Sequence, residues 1–121
     1  MVKILIIDDD PDVRTVMNIL MKKNGYDVET ASRREEALEK IRSFQPSLVL
    51  LDVLLSGADG REICRDIKNN PDTDNIKVVM FSAHPSAVEN FASYGADDFI
   101  TKPINTDLLL EKLGKVVNSG S

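Results

Sequence analysis

Four short, mostly apolar runs in the sequence each stop at a polar or charged side chain. The runs are 3–7, 47–51, 76–81 and 98–101, and they lead into Asp8-Asp9-Asp10, Asp52, Ser82 and Lys102-Pro103, respectively. Continuous aliphatic and β-branched runs of this length predict strands that are buried on both faces of a parallel sheet. Ligands of open parallel sheets bind beyond the carboxyl ends of the strands. We therefore expect these polar side chains to lie together at one edge of the sheet.

Helical patterns fill the intervals between the predicted strands. Asp10 and Pro11 are typical of a helix start, and Gly25 is typical of the residue that follows a helix. Ser32 followed by Glu35 predicts a capping box at the start of a second helix. The remaining elements are an edge strand at 26–30 and helices at 60–69, 85–94 and 105–117. Strands that alternate with helices five times predict an α/β three-layer sandwich.

Length and composition restrict the classes of protein that fit. The chain has 121 residues, 42% of them hydrophobic, which predicts one domain over 1–121 with a core at about 3–117. The net charge of −5 argues against binding to a nucleic-acid backbone or to an anionic membrane surface. No apolar run approaches the ~18 residues of a membrane-spanning helix. Cys64 is the only cysteine, so we expect no intrachain disulfide and a cytoplasmic location.

The residues at the predicted edge suit phosphoryl chemistry. A carboxylate can accept a phosphoryl group, and Asp52 is the candidate acceptor. The incoming group is anionic, and Mg²⁺ held by oxygen ligands neutralises such charge. We expect Asp9 and Asp52 as direct Mg²⁺ ligands, Lys102 as a compact positive charge and Ser82 as a hydrogen-bond donor. Taken one at a time, these residues have ordinary explanations as turn, cap or solvated residues.

Taken together, these residues resemble the receiver domain of bacterial response regulators, the phosphoacceptor part of two-component signalling. The resemblance covers essentially the whole chain. It rests on five features in the same order: Asp8-Asp9, Asp52 with Gly57 and Gly60 after it, Ser82-Ala83, Gly95–Phe99 and Lys102-Pro103. It implies a flavodoxin-like sheet of five parallel strands with the order 2-1-3-4-5.

The resemblance also implies a function and a partner. Asp52 would take a phosphoryl group from a phosphohistidine of a sensor kinase or of a phosphotransfer protein, with Mg²⁺ as cofactor. The domain would catalyse only its own phosphorylation and dephosphorylation. The backbone carbonyl of Leu54 would be a third direct Mg²⁺ ligand, and Asp8 would act through water. The Lys102–Pro103 peptide bond would be cis, and Ser56 stands where the family commonly has proline.

Two surfaces follow from the same resemblance. The ring of Phe99 would turn inward when Ser82 moves, and the surface around it would contact an effector domain or a downstream protein. Val13 and Val16 match positions at which the family docks the phosphodonor protein. The nature of the output stays open, as a stand-alone regulator and a receiver cut from a longer protein both fit.

Other classes of protein are alternatives. An aspartyl-nucleophile phosphatase of the haloacid dehalogenase type needs a second aspartate two residues after the nucleophile, where this chain has Leu54. A flavin-binding module would share the fold, but it needs a hydroxyl- and glycine-rich phosphate cradle where this chain has three aspartates. The G-x-x-x-x-G-K-[ST] pattern of a P-loop enzyme is absent. A receiver-like scaffold that is never phosphorylated would normally lack one of the five features.

Overall fold

The computed structural model describes residues 2–55, 57–84, 86 and 90–118. Within these residues, a parallel sheet contains the five strands β1 (Lys3–Ile7), β2 (Asp27–Ala31), β3 (Leu48–Asp52), β6 (Lys77–Ser82) and β7 (Asp98–Thr101). Two short strands, β4 (Leu54–Leu55) and β5 (Ala58–Asp59), pair antiparallel as a separate hairpin. The predicted α/β fold with a five-stranded parallel sheet is confirmed, and it is consistent with the flavodoxin-like class.

The predicted strand order of 2-1-3-4-5 is wrong, because it leaves out the β4–β5 hairpin. In chain order the sheet reads 2-1-3-6-7. Each strand of the hairpin has only two residues, which is too few for a strand pattern to be recognised in the sequence. The hairpin follows β3 directly, so it lies beside the end of the strand that carries Asp52.

The described part of the chain also contains four α-helices and one 3₁₀ helix. They are α1 (Pro11–Lys23), α2 (Arg34–Phe44), α3 (Gly60–Asn69), α4 (Thr106–Asn118) and the 3₁₀ helix Phe91–Tyr94. The predicted start of α1 is confirmed, because the Asp10 side chain accepts a hydrogen bond of 2.9 Å from the Asp12 backbone N–H. The helix predicted over 85–94 lies partly outside the described residues. None of the described helices is both long enough and apolar enough to cross a membrane.

The prediction that Ser32 and Glu35 form a capping box at the start of the second helix is wrong. The N-cap of α2 is Arg33, which makes no capping hydrogen bond through its side chain. Ser32 instead donates from its backbone N–H (2.7 Å) and its hydroxyl (3.1 Å) to Oε1 of Glu36. The backbone hydrogen bond from Ser32 is the main cause that holds the pKa of the Glu36 carboxyl below its usual value.

A hydrophobic layer covers each face of the sheet. Successive strand residues point to opposite faces, so Leu50 and Leu51 belong to different hydrophobic clusters. The helices contribute Ala37, Ile41, Ile63 and Ile67 from α2 and α3 to one face, and Met17, Met21, Leu109 and Leu113 from α1 and α4 to the other. This packing on both faces holds the strand ends in fixed relative positions.

Gly60, the first residue of α3, packs directly against the end of β3. Its backbone N–H donates to the carbonyl oxygen of Val53 at 2.7 Å. A Cβ atom at this position would overlap the carbonyl oxygen of Asp52 and would lie 2.9 Å from the Val53 Cα. The contact requires glycine for space, since any side chain would push α3 away from the strand.

We expect the Gly60→Ala substitution to lower the free energy of unfolding by about 2–3 kcal/mol, because the added methyl group meets backbone atoms that have no room to move. Gly114→Ala in α4 is the matched control, since a Cβ there meets nothing within 4 Å. Alanine at that position should raise stability by about 0.5–1 kcal/mol through helix propensity. Urea unfolding of both variants measures the difference, and equal stability of the two would contradict the close packing of Gly60.

Candidate functional site

The structure brings Asp8, Asp52, Ser82 and Lys102 to one edge of the sheet. Asp52 and Ser82 are the last residues of β3 and β6, while Asp8 and Lys102 directly follow β1 and β7. The register pairs the last residue of β1 with the penultimate residue of β3, and the last residue of β6 with the last residue of β7. The prediction that these residues share the carboxyl edge of the sheet is confirmed.

Three carboxylates converge at this edge. One oxygen from each of Asp8, Asp9 and Asp52 lies within 4.8 Å of the others. Asp8 is completely buried and Asp52 is 5% exposed, whereas Asp9 lies closer to solvent. Buried carboxylates are costly unless cations or hydrogen-bond donors surround them. An all-oxygen set of this kind fits a hard cation such as Mg²⁺.

Lys102 supplies the positive charge that faces the two buried carboxylates. Its Nζ atom lies 3.2 Å from Oδ2 of Asp8 and 3.6 Å from Oδ2 of Asp52. The predicted cis Lys102–Pro103 bond is confirmed, and the Lys102 backbone N–H donates to the carbonyl oxygen of Ser82 at 2.8 Å. Three carboxylates and one ammonium group leave a formal charge of −2, which a divalent cation would balance.

The Asp52 carboxyl is strongly perturbed by its surroundings. Burial, and next the charge of Asp8, raises the pKa of Asp52 to about 6. Lys102 and the backbone N–H of Leu54 oppose this rise in the pKa, and the Leu54 N–H lies 3.3 Å from Oδ1 of Asp52. A carboxyl with a pKa displaced by burial and by one specific neighbour is typical of a functional site.

Ser82 presents its hydroxyl within the same buried edge. The residue is 1% exposed, and its Oγ atom accepts a hydrogen bond of 3.1 Å from the backbone N–H of His84. This bond fixes the oxygen and leaves the hydroxyl hydrogen for another acceptor. Its arrangement therefore matches the predicted use of Ser82 as a hydrogen-bond donor, while the role itself stays a prediction.

Other predicted residues lie near the edge but outside its buried centre. The side chain of Leu54 is 49% exposed. Val16 is 63% exposed on α1, whereas Val13 is half-buried and packs against the hydrophobic core.

Phe99 is held by contacts that the sequence did not indicate. Its ring centroid lies 4.9 Å from that of Phe91, and Nζ of Lys112 lies 4.6 Å from the Phe99 centroid. The same ammonium group donates to the Phe99 carbonyl oxygen at 2.6 Å and pairs with Asp98 at 3.4 Å. Lys112 is 13 residues from Phe99, so only the helix packing could reveal this contact.

This fold, with three carboxylates and one lysine at the carboxyl edge of the sheet, fits a class of signalling domain. The family model of the response regulator receiver domain matches residues 4–114. The chain belongs to this family. Receiver domains are signalling switches of two-component systems that take phosphoryl groups from histidine kinases, and they are generally not enzymes.

Solved structures of receiver domains are similar over nearly the whole chain. The response regulator TrrA from Thermotoga maritima, solved in complex with Mg²⁺ and BeF, is 32% identical with a TM-score of 0.87, over 96% of this chain and 99% of that chain. The signal receiver domain of a signal transduction histidine kinase from Syntrophus aciditrophicus is 29% identical with a TM-score of 0.90, over 100% of this chain and 93% of that chain. NtrX from Brucella abortus is 31% identical with a TM-score of 0.90, over 98% of this chain but 27% of that chain.

The perturbed carboxyl of Asp52 predicts a pH-dependent loss of stability in the metal-free protein. Between pH ~4 and pH ~6 Asp52 is mostly protonated in the folded state and mostly ionised in the unfolded state. The free energy of unfolding therefore falls as the pH rises through this window. Asp52→Asn should therefore be more stable than the parent protein above pH ~6, by at least about 1 kcal/mol. The two proteins should converge below pH ~4.

Asp59→Asn is the matched control for this measurement. The side-chain hydrogen bond from Arg61 holds the pKa of Asp59 below its usual value, so Asp59 stabilises the fold at neutral pH and loses this effect as the pH falls. The control should therefore be less stable than the parent protein at pH 7. Chemical unfolding in EDTA from pH 4 to pH 8 measures both variants. If the stability gain of Asp52→Asn over the parent protein is larger at pH 4 than at pH 7, the raised pKa of Asp52 is contradicted.

Proposed function

We propose that Asp52 is the phosphoryl acceptor of this receiver domain and takes the group from a phosphohistidine of a sensor kinase or phosphotransfer protein. The observation that carries the proposal is the position of Asp52. It ends the central strand β3 and shares a buried edge with two further carboxylates and with Lys102. Membership of the receiver family supports the same role.

The transfer exchanges one bond for another at phosphorus. An ionised Asp52 oxygen forms a bond to phosphorus while the bond from phosphorus to the histidine nitrogen breaks, and the imidazole leaves with that electron pair. Lys102 moves from its contacts with Asp8 and Asp52 to a phosphoryl oxygen, and the Ser82 hydroxyl donates to another. These residues position charge without forming covalent bonds, which is the usual protein contribution to phosphoryl transfer.

We assign the acidic edge to Mg²⁺. Asp9, Asp52 and the backbone carbonyl of Leu54 would hold it directly, and Asp8 would act through water. When bound, Mg²⁺ neutralises negative charge on the carboxylates and the phosphoryl oxygens. With these groups the domain catalyses only its own phosphorylation and dephosphorylation. A cytoplasmic location suits a sensor kinase or a phosphotransfer protein as the phosphodonor.

Two surfaces would connect the site with partners. An apolar groove of about 310 Å³ separates α1 from the segment after β7 and is lined by Val13, Val16, Pro103 and Ile104 among others. Its position beside Lys102 supports docking of the phosphodonor protein there. Phe99 lies on β7, three residues before Lys102, which follows the strand. A movement of Ser82 and Lys102 would therefore reach the surface around Phe99. An effector domain or downstream protein would bind at this surface.

We expect acetyl phosphate with Mg²⁺ to add one phosphoryl group to the protein, and Asp52→Asn to abolish this labelling. Asp10→Asn is the control, because Asp10 lies in the same acidic run but its carboxylate caps α1. That variant should be labelled as the parent protein is. Intact-protein mass spectrometry measures the product, and labelling of Asp52→Asn would disprove the acceptor. Rapid multiple turnover of phosphate esters would instead favour the phosphatase alternative.

Lys102→Ala should still accept the phosphoryl group, though at least about 10-fold more slowly, because it lacks one positive charge at the transferred group. It should also switch poorly, since the ammonium links the phosphoryl group to β7. NMR signals of the Phe99 ring, recorded with and without phosphorylation, measure the switch. A full shift of these signals in Lys102→Ala would show that the coupling does not pass through this lysine.

A further inference from the structure

Arg14 on α1 is hydrogen-bonded to the acidic segment Asp8–Asp10, which follows β1. Its Nη1 atom donates to the backbone carbonyl oxygen of Asp8 at 2.8 Å. Asp8 also accepts the Asp10 N–H on Oδ1 at 2.9 Å and faces Lys102 through Oδ2 at 3.2 Å. The Asp8 N–H donates to the Ala31 carbonyl oxygen at 3.1 Å. Every polar group of Asp8 is therefore held by a partner, and Arg14 supplies the bond to its carbonyl oxygen.

The same arginine is fixed to the other end of the acidic segment. The Arg14 backbone N–H donates to the Asp10 carbonyl oxygen at 3.1 Å, which closes the first turn of α1. The Arg14 side chain thus reaches back to Asp8 while its backbone holds Asp10. Asp9 lies between these two residues in the chain, so both anchors restrict the backbone that carries its carboxylate.

The charge of Arg14 also acts on Glu36, in the first turn of α2. The charge of Arg14 is one of the causes that hold the pKa of Glu36 low, after the hydrogen bonds from Ser32 and the charge of Lys40. Glu36 is the residue that closes the β2–α2 loop. A planar guanidinium presents several donors in a fixed geometry to the Asp8 carbonyl oxygen, and a lysine ammonium lacks this geometry.

We propose that Arg14 is a positioning residue for the metal site, which holds the acidic segment so that the Asp8 and Asp9 carboxylates face Asp52. The proposal rests on the proposed function, because it takes these carboxylates as the Mg²⁺ site. Loss of a residue that orients metal ligands typically weakens metal affinity 10–100-fold. Arg14 binds the backbone of the segment, one step further from the ligand oxygens, so we expect a value near the lower end.

The test is calorimetric titration of metal-free protein with MgCl₂. Arg14→Met should raise the Kd for Mg²⁺ about 10-fold, and Arg14→Lys should lie between this variant and the parent protein. Arg34→Met is the control, because Arg34 forms an exposed ion pair with Asp66 at 2.9 Å, with both side chains more than 40% exposed. The control should keep the Kd of the parent protein.

A second measurement separates positioning of the metal site from a general structural role. At saturating MgCl₂, the labelling rate of Arg14→Met with acetyl phosphate should return to that of the parent, since only the Mg²⁺ affinity is changed. An unchanged Kd, or a labelling defect that saturating MgCl₂ does not restore, would overturn the proposal. If Arg14→Met does not fold by circular dichroism, Arg14→Gln replaces it with the same expected outcome.

The outcomes also distinguish this proposal from the proposed function. A parent protein that binds Mg²⁺ but is not labelled counts against Asp52 as the acceptor, while the comparison of Kd values still decides the role of Arg14. A parent protein that does not bind Mg²⁺ overturns the metal site and the role of Arg14 together.

Discussion

The chemistry of the site depends on the confinement of like charges at the carboxyl edge of the sheet. Asp8 and Asp52 are buried side by side and share one ammonium group, that of Lys102. Carboxylates in such surroundings repel each other and would separate if the backbone allowed it. The two hydrophobic layers prevent this, because they hold β1, β3 and β7 from both faces. The apolar core therefore maintains an edge that is electrostatically unfavourable and, for that reason, receptive to added cations.

Much of this edge could be predicted from the sequence because parallel strands obey a simple rule. A short continuous apolar run predicts a strand with both faces covered, and the carboxyl end of a parallel strand lies next to those of its neighbours. This rule predicts that the residues after four separate runs share the carboxyl edge of the sheet. The structure places all four there, namely Asp8, Asp52, Ser82 and Lys102. The order of the runs also indicated the family, which the match over 4–114 shows independently.

The features that escaped prediction depend on contacts between distant or irregular parts of the chain. The β4–β5 hairpin is too short to have a pattern. Glu36, and not Glu35, receives the bonds of Ser32, since the turn places the helix one residue later. Lys112 reaches Phe99 only because α4 packs along β7. Arg14 donates to a backbone carbonyl oxygen. Every residue has such an acceptor, so the sequence does not indicate which carbonyl Arg14 contacts.

The packing of Gly60 has a consequence for how such a domain can evolve. The Val53 N–H donates to the Phe81 carbonyl oxygen, and the Val53 carbonyl oxygen accepts from the Gly60 N–H. Both ends of the segment between β3 and α3 are therefore held within one residue of the end of β3. The side chain of Leu54 inside this closed segment is half-exposed, so a different side chain at this position would extend into solvent and not into the strand or the helix. The hairpin beside Asp52 can therefore vary in sequence during evolution while the strand and the helix on either side of it are inherited unchanged.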